Sequence, residues 1–503
     1  MKNVLEYLEY SAEKYPDKIV VRDSKAECSY KELLYNAKCI GSVLAQIEVP
    51  LSPIIVFMDK GVEALTTFMG AVYAGCFYVL INPELPPARI RQILEVTQAN
   101  CVVGLDGNLN MLEETAFTGK LLEYNDIVES DISEEKLQTI RNQSQDIEPL
   151  YCNFTSGSTG VPKGVLVSHR SVIDFMEFFP DMFHITERDI IGNQAPFDFD
   201  VSVKDIYSTL KVGATMVIIP KRLFSIPMQL LDYICQNKVT TLIWAVSALC
   251  MVTQLKGLTY RVPTDVNKIL FSGEAMPIKH LKLWQKYLPN AEYVNLYGPT
   301  EITCNCTYYR IDREFEPDEK LPIGKSFPNE KVFLLDENNK SITSKEAVGE
   351  ICVSGTALAL GYYNNPEQTN KAFTQNPLNS NYLELIYRTG DLGYYNNNMD
   401  LCFAGRKDYQ IKHMGHRIEL EEIEEIINSF SQIERACCLF DTNKNCILAC
   451  YVGSMEGKQI RKQMQEYVPI YMIPTKFCSL SELPITENGK IDRKELLALY
   501  GGK

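Results

Sequence analysis

The sequence predicts an α/β chain, with a large N-terminal region of parallel-rich sheets and a small C-terminal α+β unit. Three observations carry this. Short apolar runs ("SPIIVFM", "ATMVIIP", "TTLIWAV", "NKILFSG") alternate with helical patterns ("GVEALTTFMGAVYAG", "PMQLLDYICQNK"), the order that builds parallel strands with helical crossovers. At 503 residues the chain exceeds what one core serves, so at least two domains are expected. A charged, glycine-containing segment, "AGRKDYQIKHMGHRIE" (404–419), then precedes a stretch of roughly ninety residues, the size of a small domain. The expected division is 1–404, a joint at 405–410, and 411–503.

The elements follow in order. "MKNVLEYLEYSAEKYPDK", with its early acids and no apolar core ending in small residues, reads as an amphipathic helix and not as a signal peptide. The apolar runs are too short to span a bilayer, so no membrane insertion is expected. A net charge of −14 argues against general affinity for nucleic acid or anionic lipid. The 16 cysteines and 5 histidines show no CxxC pair and no metal-ligand spacing, as expected of reduced thiols in a cytoplasmic protein. Beyond the joint, "ELEEIEEIINSF" places Leu420, Ile423, Ile427 and Phe430 on one helical face, and its glutamates are expected to form a solvated face. The strand-like runs "ERACCLF" and "CILACYV", a further helix and "NGKIDRKELLALY" complete the unit.

"NFTSGSTGVPKG" (153–164) looks like a phosphate loop, although GxxxxGK[ST] is absent because Gly164 follows Lys163. Small residues, Gly157 and Gly160 among them, let backbone N–H groups converge on an anion. The hydroxyls of Thr155, Ser156, Ser158 and Thr159 add donors, and Lys163 adds a mobile charge. A surface turn has the same composition, so the loop alone leaves both readings open.

Its companions carry a resemblance. "SYKEL" (29–33), "VYAGCFYVLINPELPPARI" (72–90), "FTSGSTGVPKGVLVSH" (154–169), "FDFDVSVKDIY" (197–207) and "NLYGPTE" (295–301) come first. "GEICVSG" (349–355), "YRTGDL" (387–392), "GRKDYQIKHMGHRIELEEIE" (405–424) and "NGKIDR" (488–493) follow. In this order, and over nearly the whole chain, the set resembles the adenylate-forming superfamily of acyl-CoA synthetases, luciferases and peptide-synthetase adenylation domains. It looks most like the stand-alone amino-acid adenylation enzymes, such as D-alanine–carrier protein ligases. The resemblance implies a luciferase-like adenylating fold, an adenylation core over 1–404, a hinge at 405–410 with Asp408 as pivot, and a mobile domain over 411–503. It also implies ATP and Mg2+ as cofactors.

Residue roles follow by matched motif position. Thr155, Ser156, Gly157, Ser158, Thr159, Gly160 and Lys163 grip the β- and γ-phosphates. Asn295, Leu296, Tyr297, Gly298, Pro299 and Thr300 are ATP-binding positions: the Tyr297 ring can stack on adenine and the Asn295 amide can meet its polar edge. Glu301 is the magnesium position. Asp391 takes the ribose hydroxyls, supported by Arg406. Lys490 is the catalytic lysine, with Thr155 and Lys163 assisting. A cation touching both the carboxylate and the α-phosphate stabilises a transition state that joins two anions. The "HMGHRIE" loop (413–419) is presented to a thiol after rotation, and Gly415 allows close approach of a slender arm.

For the substrate, "FDFDVS" is the most informative motif. Asp200 matches the aspartate that pairs with an α-ammonium in amino-acid-activating members, with Asp198 as a rival; a buried carboxylate without a cation is costly. The pocket walls implied are Val201, Lys204, Ile243, Leu270, Ser272, Leu296, Cys304 and Asn305, with Leu270 and Leu296 leaving no room for an aromatic ring and Lys490 reaching the carboxylate. Lys204 either reads a side-chain carboxylate, forms an i, i+4 pair with Asp200, or turns to solvent beside Asp205. D-alanine ligases carry a cysteine where this chain has Ser272 and "SVMD" where it has "SVKD", so amino-acid activation is implied and D-alanine is not. From Lys490 the sequence runs only to Lys503, with no attachment serine for phosphopantetheine, so a carrier protein acting in trans is the expected acceptor. A CoA ligase for a small carboxylic acid is the alternative; Asp200 weighs against it. A nucleotide-binding protein without catalysis predicts erosion of the chemical residues, whereas Thr155, Lys163, Glu301, Asp391, Arg406 and Lys490 are all present.

Overall fold

The N-terminal three-quarters of the chain builds on two largely parallel sheets. The structure, a computed structural model, describes residues 1–157, 160–317, 319–442, 444–486 and 491–501. In the first sheet Ile19–Arg22, Thr215–Ile218, Ile190–Asn193, Thr241–Ala245, Lys268–Ser272 and Glu292–Tyr297 run parallel in that spatial order. Antiparallel strands close its edges. In the second, Pro53–Phe57 lies parallel to Phe77–Ile81 and Cys101–Gly104, and Phe77–Ile81 to Pro149–Thr155. These strands are apolar on both faces, as parallel strands covered by helices must be.

Helix Val62–Tyr73 is buried along almost its whole length, consistent with its all-round apolar sequence. Helix Tyr30–Ile47 packs against it very closely. A Cβ on Gly41 would stand 2.6 Å from the Tyr73 Cβ, and one on Gly70 2.6 Å from the Ile40 Cγ2, so both glycines are required by the approach. The "SYKEL" motif is the start of that helix. The Ser29 side chain accepts from Glu32 N–H and the Glu32 carboxylate accepts from Ser29 N–H, a reciprocal capping box.

A third, antiparallel sheet contains Glu330–Leu335, Gly349–Gly355, Leu385–Tyr395 and Leu401–Arg406. The α/β alternation does not predict it. The segment expected as a joint is more ordered than its composition suggests. Residues to Arg406 complete a strand, Gln410–His413 pairs with His416–Glu419 in a hairpin, and only Lys407, Asp408 and Tyr409 lie between.

The hairpin leads into helix Leu420–Asn428, which covers the small sheet of Ile433–Asp441, Cys446–Gly453 and Lys476–Ser479. Leu420, Ile423, Ile427 and Phe430 enter its core as the helical spacing predicts. The expectation of a solvated glutamate face fails at Glu422, which is 1% exposed because it faces the N-terminal region and ion-pairs there. All 16 cysteines are free. No helix among the described residues is long and apolar enough to cross a membrane.

Candidate active site

Strands Thr241–Ala245, Lys268–Ser272 and Glu292–Tyr297 end side by side, and the loops after them open on a cleft at their carboxyl ends, the usual ligand position in open α/β sheets. The second sheet supplies the loop after Thr155, which returns as Lys163 opposite it. The third sheet supplies Asp391, paired in register with Arg406.

Of the predicted residues, Thr155, Ser156, Gly298, Pro299, Thr300, Asp391 and Arg406 line the cleft, with Asp200, Val201, Ser272, Cys304 and Asn305 on the same wall system. Asp391 accepts from the Tyr297 hydroxyl at 2.6 Å and from Arg406, whose other nitrogens clasp Asp408 at 2.6 and 2.7 Å. One guanidinium therefore ties the predicted ribose carboxylate to the predicted pivot. Among the described residues Thr155 Oγ1 has no hydrogen-bond partner, although it is buried. Asp200 begins helix Val201–Val212; burial pushes its carboxyl up, with Lys204 pulling the other way. The rival Asp198 also lines the cleft, with one oxygen unpaired and its carboxyl pushed by burial up to about 6.

Several expected residues lie off the cleft wall. Lys163 is buried, 3.8 Å from Glu419 and 5.9 Å above the Tyr362 ring. Asn295 gives an amide N–H to the Pro322 carbonyl at 2.8 Å, which takes up a donor expected to face adenine. Leu296, Ile243 and Leu270 are buried behind the wall, as is Tyr297, whose hydroxyl is spent on Asp391. Gly157 and Gly160 meet the C-terminal unit, and Ser158, Thr159 and Lys490 lie outside the described residues.

Both structural alternatives for Lys204 fail. It is 0% exposed, so it does not reach solvent. It forms no ion pair with Asp200, because its ammonium goes instead to Asn305 Oδ1 at 2.5 Å.

The C-terminal hairpin sits in the cleft. Arg417 Nη1 donates to both oxygens of Glu301 at 2.9 Å, and the Tyr362 hydroxyl adds a bond at 2.7 Å. Burial opposes the Glu301 charge, but Arg417 offsets it and the carboxyl lies below its ordinary value. Ser156 Oγ donates to the Arg417 carbonyl at 2.9 Å and Gly157 N–H to Glu422 Oε2 at 3.2 Å. Arg89 holds the other Glu422 oxygen at 2.6 Å. At the hairpin tip Gly415, at φ +82°, gives its N–H to Glu274 Oε1 at 2.7 Å. His416 stacks on Tyr471, ring centroids 3.5 Å apart, and meets Phe199 edge-on. Loop donors suited to phosphate oxygens thus hold a backbone carbonyl and a carboxylate, and the carboxylate suited to a metal ion holds a guanidinium.

Sequence reading missed Lys412, Arg417, Arg89, Glu274 and Glu422 as participants. Lys412 lines the cleft 5.9 Å over the Tyr297 ring, its ammonium lowered by burial against the pull of Asp391 and Asp200. It stands in a quoted motif, as does Arg89, and a charged residue inside an otherwise apolar or motif-bearing run was the available signal.

The model of the AMP-binding enzyme family matches residues 8–363 of the sequence. The chain belongs to that family. Among AMP-binding enzymes it is 31% identical to tyrocidine synthase 3 of Brevibacillus parabrevis, over 98% of this chain and 8% of that one. It is 30% identical to a D-alanine–D-alanyl carrier protein ligase of Bacillus cytotoxicus, over 98% of this chain and 99% of that one. The chain therefore spans only a small part of the much longer synthase and nearly all of the ligase. In fold it is similar to the Vibrio cholerae adenylation domain AlmE, solved with glycyl-adenosine-5'-phosphate, with a TM-score of 0.86 at 21% identity over 99% of this chain and 98% of that one. These neighbours share the large N-terminal and small C-terminal architecture of the luciferase-like adenylating fold.

Proposed function

We propose that this AMP-binding enzyme is an ATP-dependent ligase that adenylates an amino acid and passes the aminoacyl group to the phosphopantetheine thiol of a carrier protein. The observation that carries the reading is the meeting, in one cleft, of Thr155, Asp391 and Arg406 with Asp200. The first three suit a nucleotide, and a cleft carboxylate without a hydrogen-bonded cation suits an ammonium group. In the first step a substrate carboxylate oxygen attacks the α-phosphorus and pyrophosphate leaves; in the second the thiol sulfur attacks the acyl carbon and AMP leaves. Lys490 is assigned to the first step, where it bridges carboxylate and phosphate.

Glu301 fits a magnesium ion. It is a buried carboxylate that already demands a cation, and a hard oxygen ligand is what Mg2+ takes alongside phosphate oxygens. The cleft offers about 130 Å³ with the hairpin docked, below the roughly 300 Å³ of a small ligand pocket. The docked hairpin also takes up loop donors suited to the β- and γ-phosphates, so we assign the docked arrangement to a state without bound ATP. Nucleotide entry then requires the small domain to swing about 405–410, with Asp408 leaving the grip of Arg406. Gly415 fits the docked hairpin because its φ of +82° is a backbone conformation that side chains disfavour.

The test is amino-acid-dependent pyrophosphate release over L- and D-amino acids, acetate and benzoate, followed by acyl transfer to holo-carrier protein and to CoA. A responding amino acid with carrier preferred over CoA is expected. Response only to acids without an amine, transferred to CoA, refutes the reading in favour of a CoA ligase. Lys490→Ala should cripple pyrophosphate release while sparing thioester formation from preformed adenylate; equal loss of both steps removes the role given to Lys490.

A further inference from the structure

We propose that the amino acid taken by this cleft carries a side-chain carboxylate, read by the Asn305 amide with the Lys204 ammonium behind it. The inference rests on the amino-acid reading above and names its substrate class.

The first support is the fixed orientation of Asn305. Lys204 can only donate, so its 2.5 Å contact with Asn305 Oδ1 turns the amide nitrogen away from it. That nitrogen makes no hydrogen bond to any described residue, and Asn305 lies on the cleft wall. The neighbouring Cys304 thiol is occupied by the Asp200 carbonyl at 2.9 Å. The wall therefore presents a free N–H donor polarised from behind by a cation, which calls for an acceptor, and an anionic acceptor above a neutral one.

Charge balance gives the second. Lys204 sits fully buried one turn into the helix that Asp200 caps; burial lowers its ammonium against the pull of Cys304, Asp200 and Asp205, Lys412 opposes that pull, and Lys204 pairs directly with neither acid. Asp205 bonds the Asn193 amide at 2.7 Å, and burial pushes its carboxyl up to about 7, so near neutrality it balances only part of a charge. Without substrate, Asp200 compensates Lys204 across space. An α-ammonium bound at Asp200 takes that compensation away. A neutral side chain then leaves a buried ammonium with only an amide oxygen, whereas a side-chain carboxylate restores neutrality.

The backbone adds a third. Thr303 and Cys304 stand at φ 51° and 76°, a left-handed pair without glycine, where a β-branched residue is strained. The Thr303 hydroxyl is tied to the Ala357 carbonyl at 2.8 Å. Gly298 makes room for the result, since a Cβ there would fall 2.5 Å from the Asn305 Cα. The chain is thus held in a costly conformation whose effect is to aim Asn305 at the cleft.

The experiment is pyrophosphate release by the full chain with aspartate, glutamate, asparagine, glutamine and alanine in both hands, repeated on Lys204→Met and on Asn305→Asp. The wild type should favour an acidic amino acid over its carboxamide by about tenfold or more in kcat/KM. Lys204→Met should invert that ranking. Asn305→Asp keeps a partner for the buried lysine and so guards against simple misfolding; it should abolish use of the acid by repulsion. A wild-type preference for a neutral amino acid, or an acid preference that survives both substitutions, overturns the inference while leaving amino-acid activation in place. Response to amine-free acids alone would instead remove the amino-acid reading on which the inference rests.

Discussion

Replacing Glu422 by glutamine should free the small domain and tighten nucleotide binding. Glu422 is 1% exposed and accepts from Arg89 at 2.6 Å and from Gly157 N–H at 3.2 Å. Both contacts join the C-terminal unit to the N-terminal region, so the proposed swing would break them. Removing one partner of a buried ion pair costs about 3–5 kcal/mol. Glutamine keeps the shape and one acceptor, and burial already lifts the Glu422 carboxyl against the pull of Arg89, so a cost of about 2 kcal/mol is the appropriate figure. That moves the docking equilibrium about thirtyfold. A nucleotide that binds only the undocked state gains in apparent affinity by up to the same factor, because its dissociation constant is divided by the competent fraction. The assay is titration with a non-hydrolysable ATP analogue, paired with amide hydrogen exchange over 410–419. Faster exchange and tighter binding are expected together. Faster exchange with unchanged or weaker binding would refute the competition between hairpin and nucleotide; unchanged exchange would refute the importance of the Arg89–Glu422 pair.

Two further outcomes are expected. Asp200→Ala should raise the amino-acid KM by about tenfold or more while leaving the ATP KM nearly unchanged in steady-state pyrophosphate release, and equal rises would move the ammonium contact elsewhere. Glu330 is buried with one oxygen on Ala357 N–H at 3.0 Å and the other unpaired, and burial pushes its carboxyl up to about 8. The folded state therefore favours the proton, and stability from this group falls as pH rises from the unfolded value near 4.3 through about 8. Glu330→Gln should melt progressively higher than wild type across that window and hold a constant margin above it; a margin independent of pH refutes the assignment.

What was legible in the sequence, and what was not, divides by the distance over which residues act. The capping box of "SYKEL" joins residues three apart, the apolar face of Leu420–Asn428 repeats at helical spacing, and Thr155 and Lys163, eight apart, pair on adjacent strands. Each is written in consecutive residues, so pattern alone recovers it. The contacts that shape the docked cleft are of another kind. Arg89 meets Glu422 across 333 residues, Gly415 meets Glu274 across 141, and Arg417 meets Glu301 across 116. No local signal separates Glu422 from the glutamates beside it, because its role is set by what docks against the helix. The third sheet escaped notice for the same reason: "GEICVSG" and "YRTGDL" are visible as motifs, but their pairing is long-range. Lys204 falls between the two cases. Its spacing from Asp200 suggests an ion pair on one helix, and the pair is absent because Asn305, brought in by the strained turn at Thr303 and Cys304, offers the ammonium a closer acceptor. A lysine that passes over a carboxylate one helical turn away for an amide on the cleft wall leaves Asp200 without an ion-paired cation, and the proposed amino-acid reading rests on that more than on either residue's presence.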